Sequence, residues 1–395
     1  MKILIVLPRF PYPLEKGDKL RAYNQIRTLH KEGHDIYLYC LSHRIVKPEE
    51  IEKLEQYCKE INVVKLNKTI GAKNAASHFL GKKSLQLGYW KSRNALKEYR
   101  AYEEKVKPDV IYSQMIRTMP LVFMSKVPKV MDFQDALSLN MLRRMMSTRK
   151  GVKRFVYHFE FKMLRSMEYS AFNHFDALTI ISYPDSQAIP HKNNDDIHII
   201  PNGVDLEYFK PIDCEKEYDV VFCGNMQYAP NIKASSFLAE KVMPIVWQSL
   251  PQARLLLAGA TPKNSILKLA NNKITVKGSV EDIRECYASA KVFAAPMQIG
   301  SGLQNKLLEA MAMNIPCVTT SLANNALSAT PDKEVLVGDT AEEIAQHIVE
   351  LLKSETRRNE LALNGHRYVT EHYSWDVFGQ QLSKILMDTV ASKKK

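Results

Sequence analysis

Thirteen consecutive residues carry the types and spacing that do chemistry: Gly300-Ser301-Gly302-Leu303-Gln304-Asn305-Lys306-Leu307-Leu308-Glu309-Ala310-Met311-Ala312. Glycines let a backbone approach a ligand closely. A helix starting behind them offers unpaired N–H groups and the positive end of its dipole, which suits a phosphate. At 100° per residue, Leu303, Leu307, Ala310 and Met311 share one side of that helix, and Lys306 and Glu309 share another. A lysine complements a diphosphate, and a carboxylate accepts hydrogen bonds from paired sugar hydroxyls. A plain surface ion pair is the alternative. Because the helix is apolar around most of its circumference, it is expected to be buried, and a buried glutamate needs partners.

The elements that must position these residues are legible on either side. An apolar run at 292–295 precedes the glycines and another at 315–319 follows the helix. Strand, loop, helix, strand is a βαβ unit with a right-handed crossover. Further strands are predicted at 220–223, 254–258 and 274–276, with 317–319 inside the second of those runs. In the first half they fall at 3–7, 36–41, 63–66, 110–112, 130–133 and 178–181. Helical patterns at 19–32, 49–59 and 96–105 lie between them. Residues 139–175 read as one long helix, or two broken near Gly151. The alternation predicts an α/β chain of two doubly wound halves, each a parallel sheet wrapped by helices. The joint falls near 193–211, where Asn193-Asn194-Asp195-Asp196 is turn-like and Pro201-Asn202-Gly203-Val204-Asp205 is a tight connector. The expected domains are 1–195, 196–372 and a final helical segment, 373–395, crossing back to the first. Open α/β sheets bind ligands at the carboxyl ends of their strands, so the halves are expected to face each other across a cleft.

With 45% hydrophobic and 25% charged residues, the 395-residue chain has the composition of a soluble globular protein. No run of eighteen apolar residues occurs, and the amino-terminal apolar stretch is too short for a signal-peptide core. The six cysteines are scattered without a C-x-x-C pair, which favours a reducing cytoplasm and disfavours structural zinc. Residues 1–200 hold 34 Lys plus Arg against 21 Asp plus Glu, whereas 201–395 hold 21 against 22. The excess of positive charge fits an anionic membrane surface or an anionic acceptor. No nucleic-acid-binding motif accompanies it.

These residues resemble the GT-B glycosyltransferases of the family 4 class. The pieces that carry the resemblance are 300–312, the Pro201–Asp205 connector, Phe222-Cys223-Gly224-Asn225-Met226, and Tyr373-Ser374-Trp375. Lys16-Gly17-Asp18-Lys19-Leu20-Arg21 and Met131-Asp132-Phe133-Gln134-Asp135 look like a bacterial exopolysaccharide-associated subgroup. The resemblance implies a metal-independent, retaining enzyme with no cofactor beyond its nucleotide-diphosphate sugar. Glu309 matches the second Glu of the family's E-x7-E pattern, which holds the donor ribose, while the first falls at Ser301, a departure. Backbone N–H groups of Gly302 and Leu303 would meet the diphosphate and the sugar. Many members carry an Arg and a Lys in the loop that here reads Gly224-Asn225-Met226, and Lys306 would supply that charge. Gly278-Ser279-Val280 looks like the base-binding loop. Lys306 would also stabilise the leaving diphosphate.

In the first half, the glycine of Lys16-Gly17-Asp18 would let backbone approach the diphosphate from the opposite side; a flexible turn is the alternative. Arg21 lies one turn from Asp18 along the next helix, with a plain helix-surface pair as the alternative reading. Many family members use a His near residue 135, and this chain has none between His78 and His158. Asp135, just past a strand, is the candidate catalytic carboxylate, with a helix N-cap as its alternative. The acceptor is expected to be a glycan or lipid-linked molecule. Basic and aromatic residues mix at 82–91, and Arg143-Arg144, Arg149-Lys150 and Lys153-Arg154 form a second cluster. Both suit a membrane interface on the cytoplasmic face or a lipid-linked phosphate acceptor, with a solvated helix face plus a loop with buried aromatics as the alternative. The resulting expectation is a transferase of bacterial surface polysaccharide or glycolipid synthesis. The competing reading is a non-catalytic homologue that binds a nucleotide sugar or a partner transferase, and a nucleotide-sugar epimerase lacks the carboxylates and histidine it would need.

Overall fold

The computed structural model describes residues 1–395 except Glu15, Gly300, Ser301, Gly302, Lys394 and Lys395. Two compact units divide it. The first comprises Met1–Pro201 and the chain from Phe378 onward, and the second Asn202–Val377.

The first unit is built on seven parallel strands: β1 (Lys2–Leu7), β2 (Asp35–Ser42), β3 (Cys58–Lys65), β4 (Val110–Gln114), β5 (Lys129–Asp132), β6 (Ala177–Ile180) and β7 (His198–Ile199). Their order is β3-β2-β1-β4-β5-β6-β7. The central strands are apolar along their length, because helices cover both faces of a parallel sheet. From Ile3 to Leu7 no residue of β1 is more than 1% exposed. The second unit repeats the plan with β8 (Tyr218–Cys223), β9 (Leu255–Ala258), β10 (Ile274–Lys277), β11 (Ala290–Ala295), β12 (Cys317–Thr319) and β13 (Leu336–Val337), in the order β10-β9-β8-β11-β12-β13. The strand order turns back between β1 and β4, and again between β8 and β11. Loops diverge at those points and leave room for a ligand at the carboxyl ends.

Residues 196–201 go with the first unit because β7 pairs with β6. Residues 373–377 go with the second, where Val204 N–H donates to Tyr373 O at 2.7 Å and Val204 bridges Ser374. Gly203 is held there by contact, since a Cβ would lie 2.7 Å from Trp375 N.

Two local expectations change, and one open alternative is decided. The helix expected over 49–59 ends at Glu55, and β3 has begun by Cys58. Residues 139–175 form two helices, Leu137–Ser147 and Val152–Ala171, with Gly151 between them at φ +146°. The stretch 82–91, read as weakly structured, contains the helix Leu85–Trp90, with Ser84 Oγ accepting from Leu87 N–H.

The helix Val152–Ala171 carries two buried glutamates that serve its neighbours. Glu160 accepts from the Ser84 hydroxyl at 3.0 Å and from the backbone N–H groups of Leu85 and Gln86. Glu168 accepts from Ser138 N–H at 2.9 Å. Each carboxylate satisfies orphan donors at another helix's amino end and meets the positive pole of its dipole.

Candidate active site

In the second unit the carboxyl ends of β8 to β11 carry the candidate loops. After β8, Gly224 lies against Asn231, with only 2.8 Å from a Cβ to Asn231 Nδ2. After β9, Gly259 has φ +147°, and a Cβ there would stand 1.8 Å from Gly224 O, so the two loops pack backbone on backbone. Asn225 is exposed, and its Oδ1 accepts from Gln227 N–H at 2.9 Å. Gly278 and Val280 are half-buried in the turn after β10.

The helix that follows β11 spans Asn305–Ala312. Leu303, expected on its apolar side, precedes it together with Gln304, because the helix starts later than the periodicity suggested. Leu307, Leu308, Ala310 and Met311 are buried against the sheet. The expectations for Gly300, Ser301 and Gly302 fall on residues outside those described.

Lys306 and Glu309 do not form the plain surface pair. Lys306 Nζ donates to Gln304 Oε1 at 2.7 Å and lies 5.9 Å from the centroid of the Phe222 ring. Burial pushes its ammonium down to about 8, with Glu309 pulling the other way. Glu309 accepts from the Tyr287 hydroxyl at 2.7 Å. Burial raises its carboxyl, while Tyr287 and Lys306 hold it down. One Glu309 oxygen is therefore fixed, and the carboxylate is oriented for a further donor.

Tyr287 is a participant that the sequence reading missed. It sits fully buried in the helix Ile283–Ala288, edged by Phe293 at 5.5 Å between ring centroids. The available signal was a tyrosine, not a phenylalanine, on a helix face that must be buried, since a buried hydroxyl needs a partner.

In the first unit Arg21 does not form the helix-surface pair that was its alternative reading. It is fully buried on the helix Gly17–Lys31 and forks onto Asp132 at the end of β5, Nε–Oδ2 2.7 Å and Nη2–Oδ1 3.1 Å. It also donates to the carbonyls of Ile200 and Pro201. Tyr112 and Thr179 hydroxyls complete the shell of Asp132 at 3.0 and 3.1 Å. Asp18 pairs with Arg9 instead, at 2.8 Å.

Asp135 does not cap the helix Leu137–Ser147. Ala136 stands at the N-cap, and Glu168 reaches that helix's amino end. Asp135 is exposed, and desolvation by surrounding protein, then the nearby Asp185, push its carboxyl up to about 6. Water reaching the side chain screens that push. Gly17 opens the helix Gly17–Lys31 in free space, with no atom within 4 Å of a Cβ.

Two doubly wound parallel sheets, with glycine-bearing loops and a Lys–Glu helix at a switch point, define the GT-B class of sugar-transferring proteins. Two family models cover most of the chain: "Glycosyltransferase Family 4" matches residues 20–208 and "Glycosyl transferases group 1" matches 217–354. The chain belongs to the group 1 glycosyltransferases of the family 4 type.

An uncharacterized 44.6 kDa protein in the cps region of Klebsiella pneumoniae is 22% identical over 94% of this chain and 96% of its own length. A GDP-mannose-dependent monoacylated alpha-(1-6)-phosphatidylinositol monomannoside mannosyltransferase of Corynebacterium glutamicum is 27% identical over 47% of this chain. The match spans about half of that relative, 55% of its length. Among solved structures, Anabaena Alr3699/HepE in complex with UDP and glucose superposes with a TM-score of 0.67 at 16% identity, covering 97% of this chain and 99% of that one. TarM does so with 0.70 at 12%, covering 98% of each. At those identities the structures speak for the fold.

Proposed function

We propose that this glycosyltransferase moves a sugar from a nucleotide-diphosphate sugar to a glycan or lipid-linked acceptor, with retention and without a metal. The observation that carries this reading is the pair on the helix Asn305–Ala312. Lys306 is a desolvated ammonium, and Glu309 is a carboxylate oriented by Tyr287. Glu309 accepts the ribose hydroxyls. Lys306, with the backbone of Ser301, Gly302 and Leu303, receives the diphosphate, and Gly224 and Asn225 of the same unit complete the donor's surroundings. Gly278 and Val280 meet the base. The anomeric C–O bond breaks, its electron pair stays on the diphosphate oxygen, and the acceptor hydroxyl attacks the oxocarbenium-like sugar and passes its proton to that oxygen. The arriving diphosphate pulls the Lys306 ammonium back up, so positive charge stands where negative charge develops. Asp135 is the carboxylate on the acceptor side. The mannosyltransferase relatives and the UDP-bound neighbour support a nucleotide-sugar donor.

The setting we infer is the inner face of a bacterial membrane, in surface polysaccharide or glycolipid synthesis. The cps-region relative supports it. So does a surface on which Leu80, Val152 and Phe155 are 83%, 81% and 59% exposed, beside Lys82, Lys83, Arg149, Lys150 and Lys153. Phe79 and Phe155, with ring centroids 6.4 Å apart, bring its two helices together. Apolar side chains ringed by cations suit anionic lipid. No described helix is long and apolar enough to cross a membrane.

Thermal shift against a panel of nucleotide sugars identifies the donor, since a ligand of the folded state raises its apparent stability. With that donor, Lys306→Ala lowers turnover by about 10²–10³-fold, and EDTA leaves it unchanged. Full activity in Lys306→Ala rejects the assignment. Asn225, an uncharged amide where many relatives place a cation, favours a second reading of donor binding without transfer. Slow donor hydrolysis by the purified protein decides against that reading.

A further inference from the structure

A hollow in the first unit takes no part in the chemistry above. It lies where β1 and β2 end and encloses about 390 Å³. Five cations line it, Arg9, Lys16, Lys19, Arg44 and Lys68, and none of its described lining residues is acidic. Two carboxylates reach these cations from outside the lining: Asp18 pairs with Arg9, and Glu50 with Arg44 at 2.6 Å. Lys19 and Arg44 also donate to the carbonyl of Tyr12. Positive charge therefore stays in excess inside one recess, and like charges so confined repel until an anion enters.

The opposite wall is aromatic and held in place. The His43 ring stands 4.6 Å from that of Tyr89 and 4.5 Å from that of Trp90. Tyr89 and Trp90 sit on the helix Leu85–Trp90, whose amino end Glu160 holds. A fixed apolar wall facing several cations strengthens each charge–anion contact by limiting water. Lys16 and Lys19 also flank Gly17, so the hollow adjoins the loop expected from the sequence to approach the donor diphosphate.

We propose that this hollow binds an oxyanion carried by the acceptor, either a phosphate ester or a carboxylate. The inference rests on the transferase reading for the word acceptor, and on the hollow alone for the anion. A recess of this volume takes one charged group together with part of the ring or chain that bears it. Lys16, Arg44 and Lys68 are its exposed rim, where an anion is met first.

The chain has three tryptophans, so protein labelled with 5-fluorotryptophan gives three fluorine resonances. Trp90→Phe assigns the one from the hollow, and Trp247→Phe with Trp375→Phe assigns it by elimination if Trp90→Phe does not fold. The labelled protein is titrated separately with glycerol phosphate, glucuronate, and sodium chloride at matched ionic strength. The expected result is a saturable shift of the Trp90 resonance with one organic anion and not with chloride, weakened at least tenfold in Arg44→Ala/Lys68→Ala. The anion that saturates at lower concentration names the source, a phosphate ester or an acidic sugar. An equal response to chloride, no saturable shift with either anion, or an unchanged titration in the double variant overturns the proposal. The measurement needs neither donor nor turnover, so a protein that transfers no sugar can still pass it and a transferase with a neutral acceptor fails it.

Discussion

At the scale of single residues the proposed reaction rests on Lys306, Glu309 and Asp135, and the titrations of Lys306 and Asp135 can be followed. Lys306 loses its proton near pH 8 in the free protein, so affinity for the nucleotide diphosphate falls as pH rises through about 8. Calorimetric titration of the nucleotide across that range measures this, and a flat profile removes Lys306 from the phosphate site. If ionised Asp135 is required, turnover shows an acid limb at or below about pH 6, and Asp135→Asn abolishes the limb. Unchanged turnover in that variant takes Asp135 out of the reaction. The stability sign is opposite to that of a salt-bridged lysine. The Lys306 ammonium lies below its ordinary 10.5 in the folded chain, so the folded state holds fewer protons between about 8 and 10.5, and stability rises with pH across that window. Tyr287→Phe leaves a buried carboxylate short of a donor, at a cost of about 1–3 kcal/mol. It should lower the melting temperature and raise KM for the donor more than it lowers kcat.

At the scale of elements, the helix Val152–Ala171 is the device that orders its neighbours. Glu160→Ala removes the acceptor from three donors around Ser84 and costs about 1–2 kcal/mol of the kind lost with a cap. Hydrogen exchange should then quicken in 84–90 and not in the second unit; exchange unchanged in 84–90 would show that the carboxylate holds nothing. These contacts also mark the limit of what could be read from the chain. The buried strands were legible because both faces are covered and the runs are continuously apolar, as in 3–7 and 292–295. The edge strands β7 and β13, two residues each, are too short to show a period. The boundary before β3 was lost because Cys58–Lys65 is mostly half-buried and its polar residues extend a helical pattern. In the candidate site, the shared helix side of Lys306 and Glu309 was legible from their spacing. Tyr287, 22 residues before Glu309, and the pairing of Arg21 with Asp132, 111 residues apart, are set by the topology and leave no local pattern.

At the scale of the whole molecule, the buried Arg21–Asp132 pair joins the helix after β1 to the end of β5 and to the carbonyls of Ile200 and Pro201, where the first unit ends. Arg21→Met strands a buried carboxylate and costs about 3–5 kcal/mol, whereas Arg21→Met/Asp132→Leu recovers most of it. Calorimetry should show the loss in one transition, that of the first unit, with the second unit's transition in place. A uniform shift of both would contradict the division. That first unit also contains the helix Trp375–Lys393 beyond its first turn. Thr28 lies so close to Gly379 that a Cβ would meet it at 2.3 Å, and His34 Nε2 is 2.7 Å from Ser383 Oγ. Translation delivers these contacts long after β1 to β7 have left the ribosome. The nascent amino-terminal half must therefore wait, with one flank uncovered, while the later half is already able to close.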